Sequence, residues 1–112
     1  MRKYALVMKI HRFLKRHEIY HDTRIYWNNR CWDYNSDGNY TVLTDIKGSD
    51  YFEYANDDTI SMSFEGGLYA VMNDAWFSEH DAKLQLEFSD ILEKEGYYYE
   101  LGNAWNLSLY KI

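Results

Sequence analysis

Residues 59–75, running Thr-Ile-Ser-Met-Ser-Phe-Glu-Gly-Gly-Leu-Tyr-Ala-Val-Met-Asn-Asp-Ala, change their hydrophobic period halfway along. Ile60, Met62 and Phe64 alternate with Ser61, Ser63 and Glu65, the period of two that puts one face of a strand on a core. Past Gly66-Gly67, the apolar residues Leu68, Val71, Met72 and Ala75 recur at helical spacing. A strand that passes through two glycines into a helix makes the chain neither all-α nor all-β.

Upstream, Tyr40–Ile46 reads as a strand, Lys47–Asp50 as a turn, and Tyr51–Ala55 as a strand forming a hairpin with Thr59–Glu65 around Asn56-Asp57-Asp58. Residues 23–34, rich in Ile, Tyr and Trp, read as one strand, and Asn35-Ser36-Asp37-Gly38 as the tight turn after it. Residues 3–17 form an amphipathic helix, with Tyr4, Val7, Ile10, Phe13 and Leu14 on one side and basic side chains on the other. Downstream, a helix over about Asp81 to Glu95 carries the stripe Leu84, Phe88, Ile91 and Leu92 and stops at Gly96, although the alternation in Leu84–Phe88 also suits a strand. Two final strands, Tyr97–Leu101 and Ala104–Tyr110, flank a turn at Gly102-Asn103. The expectation is a single α+β domain over residues 1–112. It has an antiparallel sheet of five or six strands, with an N-terminal helix and two later helices packed on one face.

Composition removes several classes. There are 112 residues, no Pro, one Cys (Cys31) and 21 aromatics, 12 of them Tyr, which excludes a disulfide scaffold, a Cys-rich zinc module and a collagen-like segment. No apolar run approaches the roughly 20 residues that span a bilayer, and Lys9, His11 and Arg12 interrupt the N-terminal stretch where a signal peptide would be apolar. A lone cysteine suits a reducing compartment, so the expected location is the cytoplasm. Cys31, beside Trp32, reads as a small buried hydrophobe.

Charge is unevenly spread. Residues 1–30 carry eight basic side chains and two acids, a net +6, and residues 31–112 carry a net −12. Either the basic helix docks on its own acidic body, or the acidic surface meets a basic partner.

Two short motifs suggest metals. His17-Glu18-Ile19-Tyr20-His21 is H-E-x-x-H and resembles the zincin metalloprotease motif. The resemblance implies His17 and His21 as zinc ligands on one helix face, with Glu18 as the base that activates water. It stops at five residues, since Arg16 and Asp22 flank the motif with charge and Arg24 stands where metzincins have Gly. Asp33-Tyr34-Asn35-Ser36-Asp37-Gly38 matches the first half of a calcium loop, but Thr44 occupies the position of the closing Glu. The same residues make an ordinary hairpin turn. Ser78 and Asp81 near His80 are helix caps rather than a triad, and Gly66-Gly67 lacks the Lys-Ser/Thr of a phosphate loop.

The surplus of Tyr among Asp and Glu is interface material, offering contact area at little entropic cost. The expected binding surface comprises Asp33, Tyr34, Asp37, Asp50, Tyr51, Glu53, Tyr54, Asp57, Asp58, Glu65, Glu93, Glu95, Tyr98 and Glu100. In size, charge and composition the chain resembles the compact acidic inhibitors of phages and mobile elements, anti-CRISPR proteins among them, a character shared by immunity proteins and antitoxins. That resemblance implies a non-enzymatic DNA mimic without cofactor, which occupies the nucleic-acid-binding site of a basic protein and touches neither nucleic acid nor membrane itself. A minimal zinc hydrolase and a virion-assembly subunit are the alternatives.

Overall fold

In the computed structural model, which describes the backbone of residues 2–112 and the side chains from Lys3 onward, the first helix α1 covers Arg2–Arg16. Leu6, Val7, Ile10, Phe13 and Leu14 form its buried face. It ends in a Schellman motif. Glu18 takes the left-handed conformation at φ +52°, Ile19 N–H donates to Leu14 O at 3.0 Å, and Glu18 N–H donates to Lys15 O at 3.2 Å.

The expected single strand over 23–34 is in fact a hairpin. Strands β1 (Thr23–Trp27) and β2 (Arg30–Tyr34) are joined by Asn28-Asn29 at φ +55° and +59°. Two consecutive left-handed residues are the signature of the type I′ turn, which asparagine tolerates. Strand β3 (Tyr40–Thr44) returns beside β2, and β4 (Ser61–Phe64) pairs with β1. Tyr51–Ala55 is not a strand, so the expected second hairpin does not exist. Residues 45–58, with the short 3-10 turn Gly48–Asp50 among them, instead form a loop that closes over the sheet.

Helix α2 spans Gly67–Asp74 and α3 Glu79–Lys94; Ser78 caps α3 through its hydroxyl, and Gly96 follows its end at φ +87°. The Leu84–Phe88 alternative therefore resolves as helix, with Leu84, Phe88 and Leu92 buried. Strands β5 (Tyr97–Asn103) and β6 (Asn106–Lys111) complete the sheet, their turn lying at Ala104-Trp105, two residues later than expected. The six strands run antiparallel throughout, in the order β3-β2-β1-β4-β6-β5.

All three helices contribute to one core with Ile25, Trp32, Met62, Phe64, Leu107 and Leu109 on a single face of this α+β sheet. Part of the charge asymmetry is internal, because Lys9 pairs with Glu95 just past α3 and Arg16 pairs with Glu87 on α3. The side chain of Arg2 lies outside the described residues. No helix among the described residues is long and apolar enough to cross a membrane.

Candidate protein-binding surface

The opposite face of the sheet has its own small core, and this decides where the expected residues go. Tyr26 and Cys31 point to this face, and Phe52 of the 45–58 loop drops between them with Leu43, Ile46, Ala55 and Trp105 around it. Phe52 is edge-on to Tyr26 and to Trp105, with centroids 5.7 Å apart in both pairs. Burying one such ring stabilises the loop by roughly 2–3 kcal/mol. Burial pushes the Cys31 thiol up to about 11, so it is a packing residue, as expected.

Polar groups hold the other limb of the loop. The hydroxyls of Ser61 and Ser108 lie 2.8 Å apart, and Asn56 N–H reaches both, at 2.9 and 3.1 Å. Ser108 donates to Tyr54 O at 3.1 Å, and Asn56 Nδ2 donates to Leu109 O at 2.9 Å. Ser61, on the polar side of its strand by sequence, is thus 1% exposed.

Anchored in this way, the loop builds two open grooves of about 650 and 440 Å³ that share Tyr51 and Trp105. Glu53 and Tyr54 line the first; Asp22, Arg24, Asp33 and Glu65 line the second. Tyr51 and Tyr54 are 54% and 72% exposed, and Tyr54 is left-handed at φ +63°. For a bulky residue that conformation costs roughly 1–2 kcal/mol. Tyr98 and Glu100 of β5 continue the surface, since Glu100 stands opposite Ser108 in the β5–β6 ladder.

Arg24 sits within the second groove. Its guanidinium lies 5.7 Å from the Tyr51 ring centroid and donates to Asp33 at 3.3 Å. A hydrogen bond with Tyr26 pushes its pKa up against the opposing effect of burial, and Asp33 adds to the rise. Tyr26 is itself pushed up, chiefly by burial. The surface therefore already cradles one guanidinium between an aromatic face and a carboxylate.

Of the expected residues, Asp33, Tyr34, Tyr51, Glu53, Tyr54 and Glu65 line the two grooves, and Tyr98 and Glu100 stand on the same face of the sheet beyond them. Asp50 stands on the same loop and accepts Lys47 N–H at 2.9 Å. Asp57 and Asp58 lie at the far end of the sheet with Glu95, in a separate groove of about 860 Å³ that also contains Lys3 and Lys111. Asp57 is occupied by Ser49 and Glu95 by Lys9. Glu93 is on α3, in the helical layer.

Tyr34 borders the second groove but presents little surface there. It is 7% exposed, faces the helices and is hydrogen-bonded to His11 Nδ1 at 2.6 Å, so it has no ring to offer a partner. Asp37 sits in the β2–β3 turn, bonded to Asn39 N–H at 2.9 Å, and Gly38 of that turn approaches Lys15 and Tyr20. Backbone hydrogen bonding from Asn39 holds the Asp37 carboxyl below its ordinary range. The calcium-loop residues thus form a hairpin turn, and Thr44 belongs to β3.

The H-E-x-x-H residues do not share a helix face, because α1 ends at Arg16 and Glu18 is the left-handed residue that stops it. His17 is bonded to Glu87 at 3.0 Å, and His21 stacks on Tyr20 with centroids 4.5 Å apart. Among the described residues no three His, Cys, Asp or Glu converge to hold a metal.

Asp22, Arg24, Tyr26 and Trp105 belong to the surface but were not among the expected residues. The signal for Arg24 was Asn28-Asn29: with a hairpin there, Arg24 falls opposite Asp33. Trp105 had no signal, since its role depends on the loop above it. Comparison of the chain with protein-family models, curated proteins and solved structures gives no match.

Proposed function

We propose that the chain is a small acidic binding protein whose loop-covered face occupies a basic, nucleic-acid-binding site on another protein. In this it acts as the compact inhibitors of phages and mobile elements do, anti-CRISPR proteins among them. The observation that carries the reading is Tyr54, an aromatic residue held in a strained left-handed conformation with 72% of its surface in solvent. Strain of this kind is kept where the surroundings enforce it and concentrates at working surfaces. The carboxylates of Asp33, Glu53, Glu65 and Glu100 stand in for phosphates, and Tyr51 and Tyr54 receive the stems and guanidinium planes of the partner's Arg and Lys. The setting of Arg24 against Tyr51 and Asp33 supports the same chemistry for an incoming arginine.

The test is affinity capture from cell extract with the wild-type chain and with a Glu53→Lys, Tyr54→Ala, Glu65→Lys variant, followed by elution with heparin. A basic nucleic-acid-binding protein retained by wild type, displaced by heparin and absent from the variant is the expected result. Identical retention on both chains, or retention that heparin leaves untouched, overturns the reading.

A further inference from the structure

The turn between α2 and α3 leaves Trp76 and Phe77 90% and 87% exposed, the most exposed large apolar side chains among the described residues. Two adjacent rings in water mark a contact site. Asp74 and Glu79 flank them and Asp81 follows, with Lys83 one turn further along α3.

A second unexplained feature lies at the other end of α3. A shallow groove of about 160 Å³, room for one aromatic side chain, is lined by Lys9, Arg12, Arg16, Lys94 and Ile91. Every polar residue in it is a cation. Glu95 and Glu87 fix Lys9 and Arg16 in place, and Asp90 lies one turn before Lys94. Ile91 is half-buried against the core and supplies an apolar floor.

We propose that this groove receives one ring of the Trp76–Phe77 turn of a second copy of the chain, with the other ring lying on its cationic rim. Guanidinium groups stack on aromatic faces, Ile91 matches the rings, and Asp74 and Glu79 meet Arg12 and Lys94. A chain cannot seat its own turn, because Glu79 and Lys94 are separated by about 22 Å of helix rise. Nor does the acidic back face prevent the contact. The shortest dimension of the molecule is 26 Å, about three Debye lengths at physiological salt. Solvent-exposed charges at that distance are largely screened by salt.

The contact is head-to-tail, so each added copy brings a fresh turn and a fresh groove. Two rings bury about 300–500 Å², against about 800 Å² per partner in a stable interface. Association is therefore weak, concentration-dependent and sensitive to salt. It leaves the loop-covered face open, so it stands or fails separately from the proposed function.

Sedimentation equilibrium of the full chain, at concentrations up to about 1 mM, provides the test. Wild type should grow in mass with concentration and shrink back in high salt. A Trp76→Ala, Phe77→Ala variant and an Arg12→Glu, Lys94→Glu variant, each with wild-type circular dichroism, should be monomeric alone. Mixed, they should form a one-to-one dimer and nothing larger, since one supplies the groove and the other the turn. A wild type that stays monomeric, an association that both variants retain, or a mixture that stays monomeric overturns the proposal.

Discussion

Ser61 and Ser108 face each other across β4 and β6 with their hydroxyl oxygens 2.8 Å apart, and the N–H of Asn56 points between them. This pair ties the 45–58 loop to the back of the sheet at the end remote from Phe52. Replacing both serines by alanine leaves the Asn56 N–H without either acceptor and costs about 1–2 kcal/mol, measurable by urea denaturation; either single replacement, which keeps one acceptor, should cost less. Cys31 lies beneath Phe52 in the same cluster and is fully buried. Its alkylation under native conditions should be slow in wild type and accelerated in the double Ser→Ala variant, as the loop opens.

Tyr54 should trade stability for binding. Glycine adopts φ +63° without the penalty that a tyrosine bears there, and the exposed ring contributes little packing. Tyr54→Gly is expected to raise stability by about 0.5–1 kcal/mol and to abolish capture of the basic partner. A loss of stability would show that the ring is a packing element.

Two glycines should respond differently to alanine. A Cβ on Gly66 would lie 2.3 Å from the carbonyl oxygen of His21, a backbone atom that cannot turn aside. The expected cost of Gly66→Ala is about 2–3 kcal/mol. Gly96 has open space around the same position and only its φ of +87° to object, so Gly96→Ala should cost about 1 kcal/mol and asparagine less. Thermal midpoints of the two variants distinguish them.

Acid should loosen α1 from α3 through Glu87. Burial opposes its ionisation, but hydrogen bonds from Arg16 and His17 outweigh that and hold its pKa below the ordinary glutamate value of 4.5. A lowered folded-state pKa means that its stabilising contribution is complete above about pH 4.5 and is lost as the pH falls through the folded value. Glu87→Gln should therefore be less stable at neutral pH and show a shallower loss between pH 5 and pH 3 in a denaturation series.

What the sequence determined by itself was whatever depends on near neighbours along the chain. The change of period at Gly66-Gly67 located β4 and α2, the Leu84-Phe88-Ile91-Leu92 stripe and Gly96 defined α3, and together they gave an α+β sheet with helices on one face. The same local rules take Asn28-Asn29 as part of one aromatic strand and Tyr51–Ala55 as another, because an aromatic-rich run between turn residues reads as a strand whether or not a neighbouring strand pairs with it. The candidate site lay beyond their reach. Asp33, Glu53, Glu65 and Glu100 are scattered along the sequence, and only antiparallel pairing and the closure of one loop bring them to one side of the sheet. Tertiary structure also removed Tyr34 to the core and left Trp76 and Phe77 in solvent. Whether an aromatic ring is buried is decided by what packs against it, and that is a property of the assembled layers.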